Sequence, residues 1–143
     1  MPAAESELLR AFREGFEQGN RAWNAGDVKT AYATLPDRLE YRLAATWPEA
    51  RVLRSRVEVI NFFENFQETF PDARTESHEY LEGEHGTVVA GFRVAGSGRT
   101  SGAGGEMEVW QVWQVLDQDH LTVTRVTEFT NRQEAVEAAG LSE

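Results

Sequence analysis

The chain has no cysteine and only two methionines and three histidines among its 143 residues. Without cysteine there is no disulfide, no thiol nucleophile and no thiolate metal site, a composition that fits a reducing compartment. Basic side chains are also few. Fourteen Lys and Arg face 24 Asp and Glu, a formal net charge of −10, which argues against nucleic acid or an anionic membrane surface as a partner. No apolar run approaches the roughly 20 residues of a membrane span. The opening Met1 to Arg10 lacks a basic-then-apolar signal pattern. The expectation is a soluble cytoplasmic protein with no nucleic-acid or membrane partner. There is no HExxH motif or close His/Asp/Glu cluster, so no metal is expected. No Gly-x-Ser-x-Gly elbow points to a serine hydrolase. The glycines of Gly96 to Gly105 precede a strand rather than a helix, so they do not form a phosphate cradle, and no cofactor is expected.

What is present is an apolar, aromatic-rich core. Apolar residues make up 41% of the chain, with 8 Phe, 4 Trp and 3 Tyr, which excludes general disorder. The length suits one domain spanning residues 1–143. The most informative stretch is Glu106 to Leu116. Met107, Val109, Gln111, Trp113 and Val115 form one row; Trp110, Val112 and Gln114 alternate with them. Period two reads as a β-strand, and large apolar groups in both rows mean that both faces are covered. Gln111 is the polar exception in its row. A buried amide needs partners, so it is either satisfied by protein or reaches into a cavity.

Elsewhere, Leu9, Phe12, Phe16 and Trp23 fall on one face of an amphipathic helix over residues 4–24, which Gly26 stops. Gly19 lies on that face, either for close packing or to leave room for a ligand. Asp27 can cap a short helix from Val28 to Leu35. Leu39, Tyr41 and Leu43 alternate with Glu40 and Arg42 as a half-buried strand. Trp47, in an aperiodic loop, is a lid over the core or a ligand wall. Ser55 and Glu58 have capping-box spacing and open a helix to about Phe70. Four strands follow, over Ala73–Leu81, Thr87–Ala95, Glu106–Leu116 and Leu121–Phe129, and Asn131 can cap a last helix ending at Gly140. This order predicts an α+β fold, a curved antiparallel sheet wrapped over N-terminal helices with a C-terminal helix. Such a sheet leaves a cone-shaped cavity, the usual place for a small ligand.

The run Trp23-Asn24-Ala25-Gly26-Asp27, then Leu35-Pro36-Asp37-Arg38-Leu39-Glu40-Tyr41, Leu53-Arg54-Ser55-Arg56-Val57-Glu58, Phe62-Phe63, Val112-Trp113 and Arg125 to Ala135 resemble a SnoaL-like protein of the nuclear transport factor 2-like superfamily. The resemblance implies a cone-shaped cavity and a homodimer through the outer sheet face, which would use Trp110 and Val112. It also allows a comparison with the ketosteroid isomerases of that superfamily. Their helix-one tyrosine falls at Gly19, their aspartate base near Arg42 or Leu43, and their oxyanion-hole aspartate at Gln111. None is retained, so isomerisation by that mechanism is not expected.

The expected cup has Phe16, Gly19, Trp47, Val109, Trp113, Thr124 and Val126 as ligand-binding residues around three polar tips, Tyr41, Gln111 and Glu128. A desolvated Glu128 would have a raised pKa suited to acid or base work. Alternatively, it sits partly solvated at its strand end, pairing with Arg132. His78 is an isolated strand histidine that either reaches the cavity or is an ordinary hydrogen-bonded residue. Three functions follow: binding of a small apolar or aromatic molecule, acid/base catalysis of the isomerase, cyclase or hydratase kind by Glu128 with Tyr41 and Gln111, and a non-catalytic dimeric interaction module.

Overall fold

The computed structural model describes residues 6–47, 49–97, 104–117 and 122–141. Helix α1 (Glu7–Asn24) begins where Ser6 Oγ accepts from the Leu9 N–H, and it buries Leu8, Phe12 and Trp23. Asp27 caps α2 (Val28–Ala31), which is shorter than the eight residues expected. Strand β1 (Arg38–Arg42) follows, then β2 (Val52–Ser55). Ser55 caps α3 (Arg56–Thr69) through the Glu58 N–H at 3.1 Å, as its capping-box spacing requires. Then come β3 (Arg74–Glu82), β4 (Thr87–Ser97), β5 (Gly104–Asp117), β6 (Thr122–Phe129) and α4 (Arg132–Ala138). The turn expected at Asp117 to His120 and the tip of the glycine-rich connection fall largely outside the described residues.

The six strands form one curved sheet in the order β2-β1-β6-β5-β4-β3. Neighbours are antiparallel except β1 and β6, which run parallel with Tyr41 opposite Val126. That junction joins the first long strand to the last, and it is what brings residue 41 beside residue 128.

Strand β5 keeps its two rows apart. Val109, Trp113 and Val115 pack into the main core with Phe12, Tyr41 and Phe63. Trp110 and Val112 face the other way, into a smaller cluster with Val89, Ala135 and Ala139. The cover over the second row is therefore α4 of the same chain. It is held at its start by Arg132, which donates twice to Glu79 at 3.0 and 2.9 Å, and at its end by the Glu84 N–H, which donates to the Ala139 carbonyl at 2.9 Å. Beneath it Trp110 lies over Gly91, where a Cβ would come within 2.4 Å of the indole. Among the described residues Val57 is the one large apolar side chain left exposed, and no described helix is long and apolar enough to cross a membrane.

Two bulges reset the alternation on which the sequence reading relied. Between β3 and β4, Ser77 pairs with Phe92 and Glu79 with Gly91, so His78 is the extra residue. It turns outward, 2.8 Å from Glu108 and edge-on to Trp110, and does not reach the interior. Between β5 and β6, Gln114 pairs with Arg125 but Val115 with Val123. Thr124 is the residue passed over and is exposed, while Val123 takes the inward place. A single inserted residue changes the face of everything beyond it.

The edge strand β3 is tied to α1 by two asparagines. Asn24 accepts from the Thr75 N–H at 2.8 Å and donates to the Thr75 carbonyl at 3.0 Å, imitating a neighbouring strand. Asn20 donates to Ser77 Oγ at 2.6 Å and accepts from Thr75 Oγ1 at 3.1 Å. Satisfying an otherwise bare edge in this way removes a site for unwanted strand pairing.

Candidate functional site

Between the inner sheet face and helices α1 to α3 lies a cavity of about 310 Å³. Aromatic rings supply much of its wall. Phe12 and Phe16 meet Trp113 edge-on at 5.3 and 6.1 Å, and Phe63 stacks on Tyr32 at 5.3 Å while meeting Trp47 edge-on at 5.2 Å. Gly15 and Gly19 bring the α1 backbone to the wall. A Cβ at Gly15 would meet nothing within 4 Å, and one at Gly19 would touch only the Ala31 carbonyl at 3.4 Å. Neither glycine is forced by close packing of side chains.

One end of the cavity is polar and closed. Glu128 is 5% exposed and accepts four hydrogen bonds. Trp47 Nε1 and the Ala44 N–H donate to Oε1 at 2.6 and 3.0 Å, and Gln111 Nε2 and the Tyr41 hydroxyl donate to Oε2 at 2.7 and 3.2 Å. Gln111 Nε2 also donates to Tyr41 Oη at 2.7 Å, and Trp113 Nε1 donates to Gln111 Oε1 at 2.7 Å. The strands explain the assembly. Gln111 and Glu128 are direct cross-strand partners, and Tyr41 lies one pair further along the same face. Ala44 contributes its N–H because the chain leaves β1 there.

Each member fixes the next. An indole N–H only donates, so Trp113 forces the Gln111 oxygen toward itself and the amide nitrogen toward Glu128. All four partners of Glu128 then present hydrogens to it, an arrangement suited to the anion. Burial works the other way and outweighs the donors, so the Glu128 pKa stands above the ordinary carboxylate value. Desolvation, reinforced by the Glu128 charge, holds the Tyr41 and Tyr32 hydroxyls well above the usual tyrosine range. No buried side-chain donor or acceptor among the described residues lacks a partner.

The expected cup therefore changes in part. Phe16, Gly19, Trp47, Trp113, Tyr41 and Gln111 line the cavity. Glu128 does not; it lies behind Tyr41, Gln111 and Trp47 and is bonded to all three. Arg132, its alternative partner, pairs with Glu79 instead. Val126 is fully buried, covered by the larger rings of its cross-strand neighbours Tyr41 and Trp113, and Val109 is fully buried beside its partner Phe92. Both pack in the core without forming wall, and Thr124 faces solvent for the reason given above. The sequence reading missed Tyr32, Phe12 and Phe63 as wall residues. Tyr32 was hidden by extending α2 through it, whereas the helix stops at Ala31. The Phe63 ring was legible as core but not as lining. Among the described residues no group of three or more His, Cys, Asp or Glu is placed to hold a metal ion.

No curated protein matches the sequence. Solved structures do resemble the fold. A protein from Jannaschia sp. CCS1, provisionally named a SnoaL-like polyketide cyclase, superposes with a TM-score of 0.71 at 15% identity, over 96% of each chain. An NTF2-like protein from Anabaena variabilis ATCC 29413 gives 0.70 at 16% identity, over 92% of this chain and 96% of that one. The epoxide hydrolase/cyclase-like enzyme SalBIII, which acts in pyran ring formation in the polyether salinomycin, gives 0.70 at 11% identity, over 88% and 95%. At such identities the likeness is one of fold. The family model of the SnoaL-like domain matches residues 16–124, a span that holds α1 from Phe16 through most of the sheet. The chain belongs to the SnoaL-like domain family, within the nuclear transport factor 2-like fold.

Proposed function

We propose that the protein binds a small apolar or aromatic molecule in a cone-shaped cavity between sheet and helices. The observation that supports this most directly is a hollow of about 310 Å³ whose walls are rich in aromatic rings. It has about twice the volume of an engineered cavity of ~150 Å³ that takes up benzene, so a compound of one or two rings suits it. Pockets of this kind combine an apolar wall with a few fixed polar groups, here Tyr41 and Gln111. We assign the protein to the cytoplasm on its cysteine-free composition. A homodimer through the outer sheet face would pair beyond Trp110 and Val112, because α4 of the same chain covers those two side chains.

Trp23, Trp47 and Trp113 all border the hollow, so occupancy should alter tryptophan emission. Titration with naphthalene-sized aromatic probes is expected to give a saturable emission change and a raised Tm. Neither change across such a panel would refute the reading.

A second reading, acid/base catalysis of the isomerase, cyclase or hydratase kind, is favoured by the buried Glu128 carboxylate. Since Glu128 lies behind the wall, it would act by positioning and polarising Tyr41 and Gln111. This reading expects the bound compound to be converted, and Glu128→Gln to abolish conversion while binding remains. Recovery of every bound probe unchanged would leave only the binding function.

A further inference from the structure

The hydrogens at the closed end of the cavity can be counted one by one. Both Gln111 amide hydrogens are engaged, by Tyr41 and Glu128. The Tyr41 hydroxyl hydrogen points to Glu128, and the Trp47 and Trp113 indole hydrogens point to Glu128 and Gln111. What remains open is acceptor capacity. A phenol oxygen and an amide oxygen each carry two acceptor positions. Tyr41 Oη has accepted one hydrogen, from Gln111, and Gln111 Oε1 has accepted one, from Trp113. One further hydroxyl borders the same end, that of Tyr32, close to Tyr41 and the Trp23 indole.

We propose, building on the ligand-binding reading above, that the site selects ligands carrying a neutral hydroxyl, a phenol or an alcohol, which donates to Tyr41 or Gln111 and accepts from Tyr32. This floor has the opposite polarity to an oxyanion hole. Developing negative charge on a ligand oxygen would meet lone pairs and, behind them, the Glu128 carboxylate. A ketone or ether, which offers only an acceptor, could pair only with Tyr32 and would set its oxygen against the remaining lone pairs of Tyr41 and Gln111. A site shaped to take a hydrogen from its ligand discriminates against an analogue that lacks it.

Glu128 sets this polarity. Trp47 Nε1 and the Ala44 N–H cannot accept, and Gln111 is held in orientation by Trp113. Tyr41 Oη is therefore the one partner able to accept a hydrogen from a neutral group at position 128. Once it does, its own hydrogen must turn away, toward the cavity, and the floor gains a donor. Glu128→Gln makes that change permanently.

The test is a matched pair of probes, β-naphthol and its methyl ether, titrated into wild type and Glu128→Gln by calorimetry at neutral pH. Wild type is expected to bind the naphthol at least about tenfold more tightly than the ether, a difference of about 1.4 kcal/mol. In Glu128→Gln the preference should shrink or reverse, and Tyr32→Phe, which removes none of the four hydrogen bonds to Glu128, should weaken the naphthol. An ether that binds wild type as tightly as the naphthol overturns the polarity assignment and leaves the binding function standing. If neither probe binds wild type, the binding function itself fails and this inference fails with it. The wild-type comparison decides the matter even if a variant does not fold.

Discussion

Replacing Glu128 by glutamine removes a charge and leaves the shape of the side chain nearly unchanged. The new amide oxygen must face Trp47 Nε1 and the Ala44 N–H, since both can only donate. The amide nitrogen then faces Tyr41 Oη, which can accept, and Gln111 Nε2, which cannot. Gln111 cannot rotate away, because Trp113 donates to its Oε1 at 2.7 Å. One amide hydrogen on each of the two side chains thus lacks an acceptor, at about 1–3 kcal/mol for each. The opposing contribution depends on pH. Burial holds the Glu128 pKa above its ordinary value of 4.5, so over the interval above that value the folded protein binds more protons than the unfolded chain. Stability from this group is complete below that interval and is lost as pH rises through the folded pKa. The variant has no such titration, and every other ionisable group is common to both proteins. Urea denaturation of the pair from about pH 5 to about pH 8 should show the variant less stable at the acid end, with the gap narrowing by about 1.4 kcal/mol for each unit of pKa elevation. A gap that widens with rising pH would refute the reasoning, because it would mean that the four donors outweigh burial.

Two further outcomes follow from the packing. Gly15→Ala should raise stability by about 0.5–1 kcal/mol, since its Cβ meets nothing, whereas Gly91→Ala should lower it by about 1–3 kcal/mol, since its Cβ would strike the Trp110 ring; equal Tm shifts would contradict the glycine geometry. Trp110→Glu should cost about 3–5 kcal/mol and lower Tm by on the order of 10 °C, because α4 of the same chain buries that indole. An unchanged melt with a lower sedimentation coefficient would instead place Trp110 at a contact between two copies.

Strand β5 was legible in detail because its signal is local. Alternation alone sorted Gln111 and Trp113 to one face and Trp110 and Val112 to the other. The cover over the second face was not legible, since an apolar row reads the same under its own helix as under a second copy. Strand β2 escaped because four residues running directly into a helix cap show no period. Thr124 was misplaced, and the choice left open for His78 fell to the ordinary hydrogen-bonded residue, for a shared reason: each is the extra residue of a bulge, and bulges arise from the pairing of two strands rather than from either sequence. Tyr41, Gln111 and Glu128 could be named as the polar set, but their depth could not. That Glu128 stands behind the other two depends on the Ala44 N–H and the Trp47 indole, a backbone group and a loop residue whose placement has no periodic signature.

The parallel seam between β1 and β6 has a consequence for synthesis. Glu128 is separated by 81 to 87 residues from Trp47, Ala44 and Tyr41, the groups it joins. A nascent chain halted before β6 emerges from the ribosome would carry the helices and much of the aromatic wall, yet nothing to orient the polar end. The polar end is thus completed only in the finished molecule, and under the proposed binding function a ligand present during translation would reward only the last step of assembly.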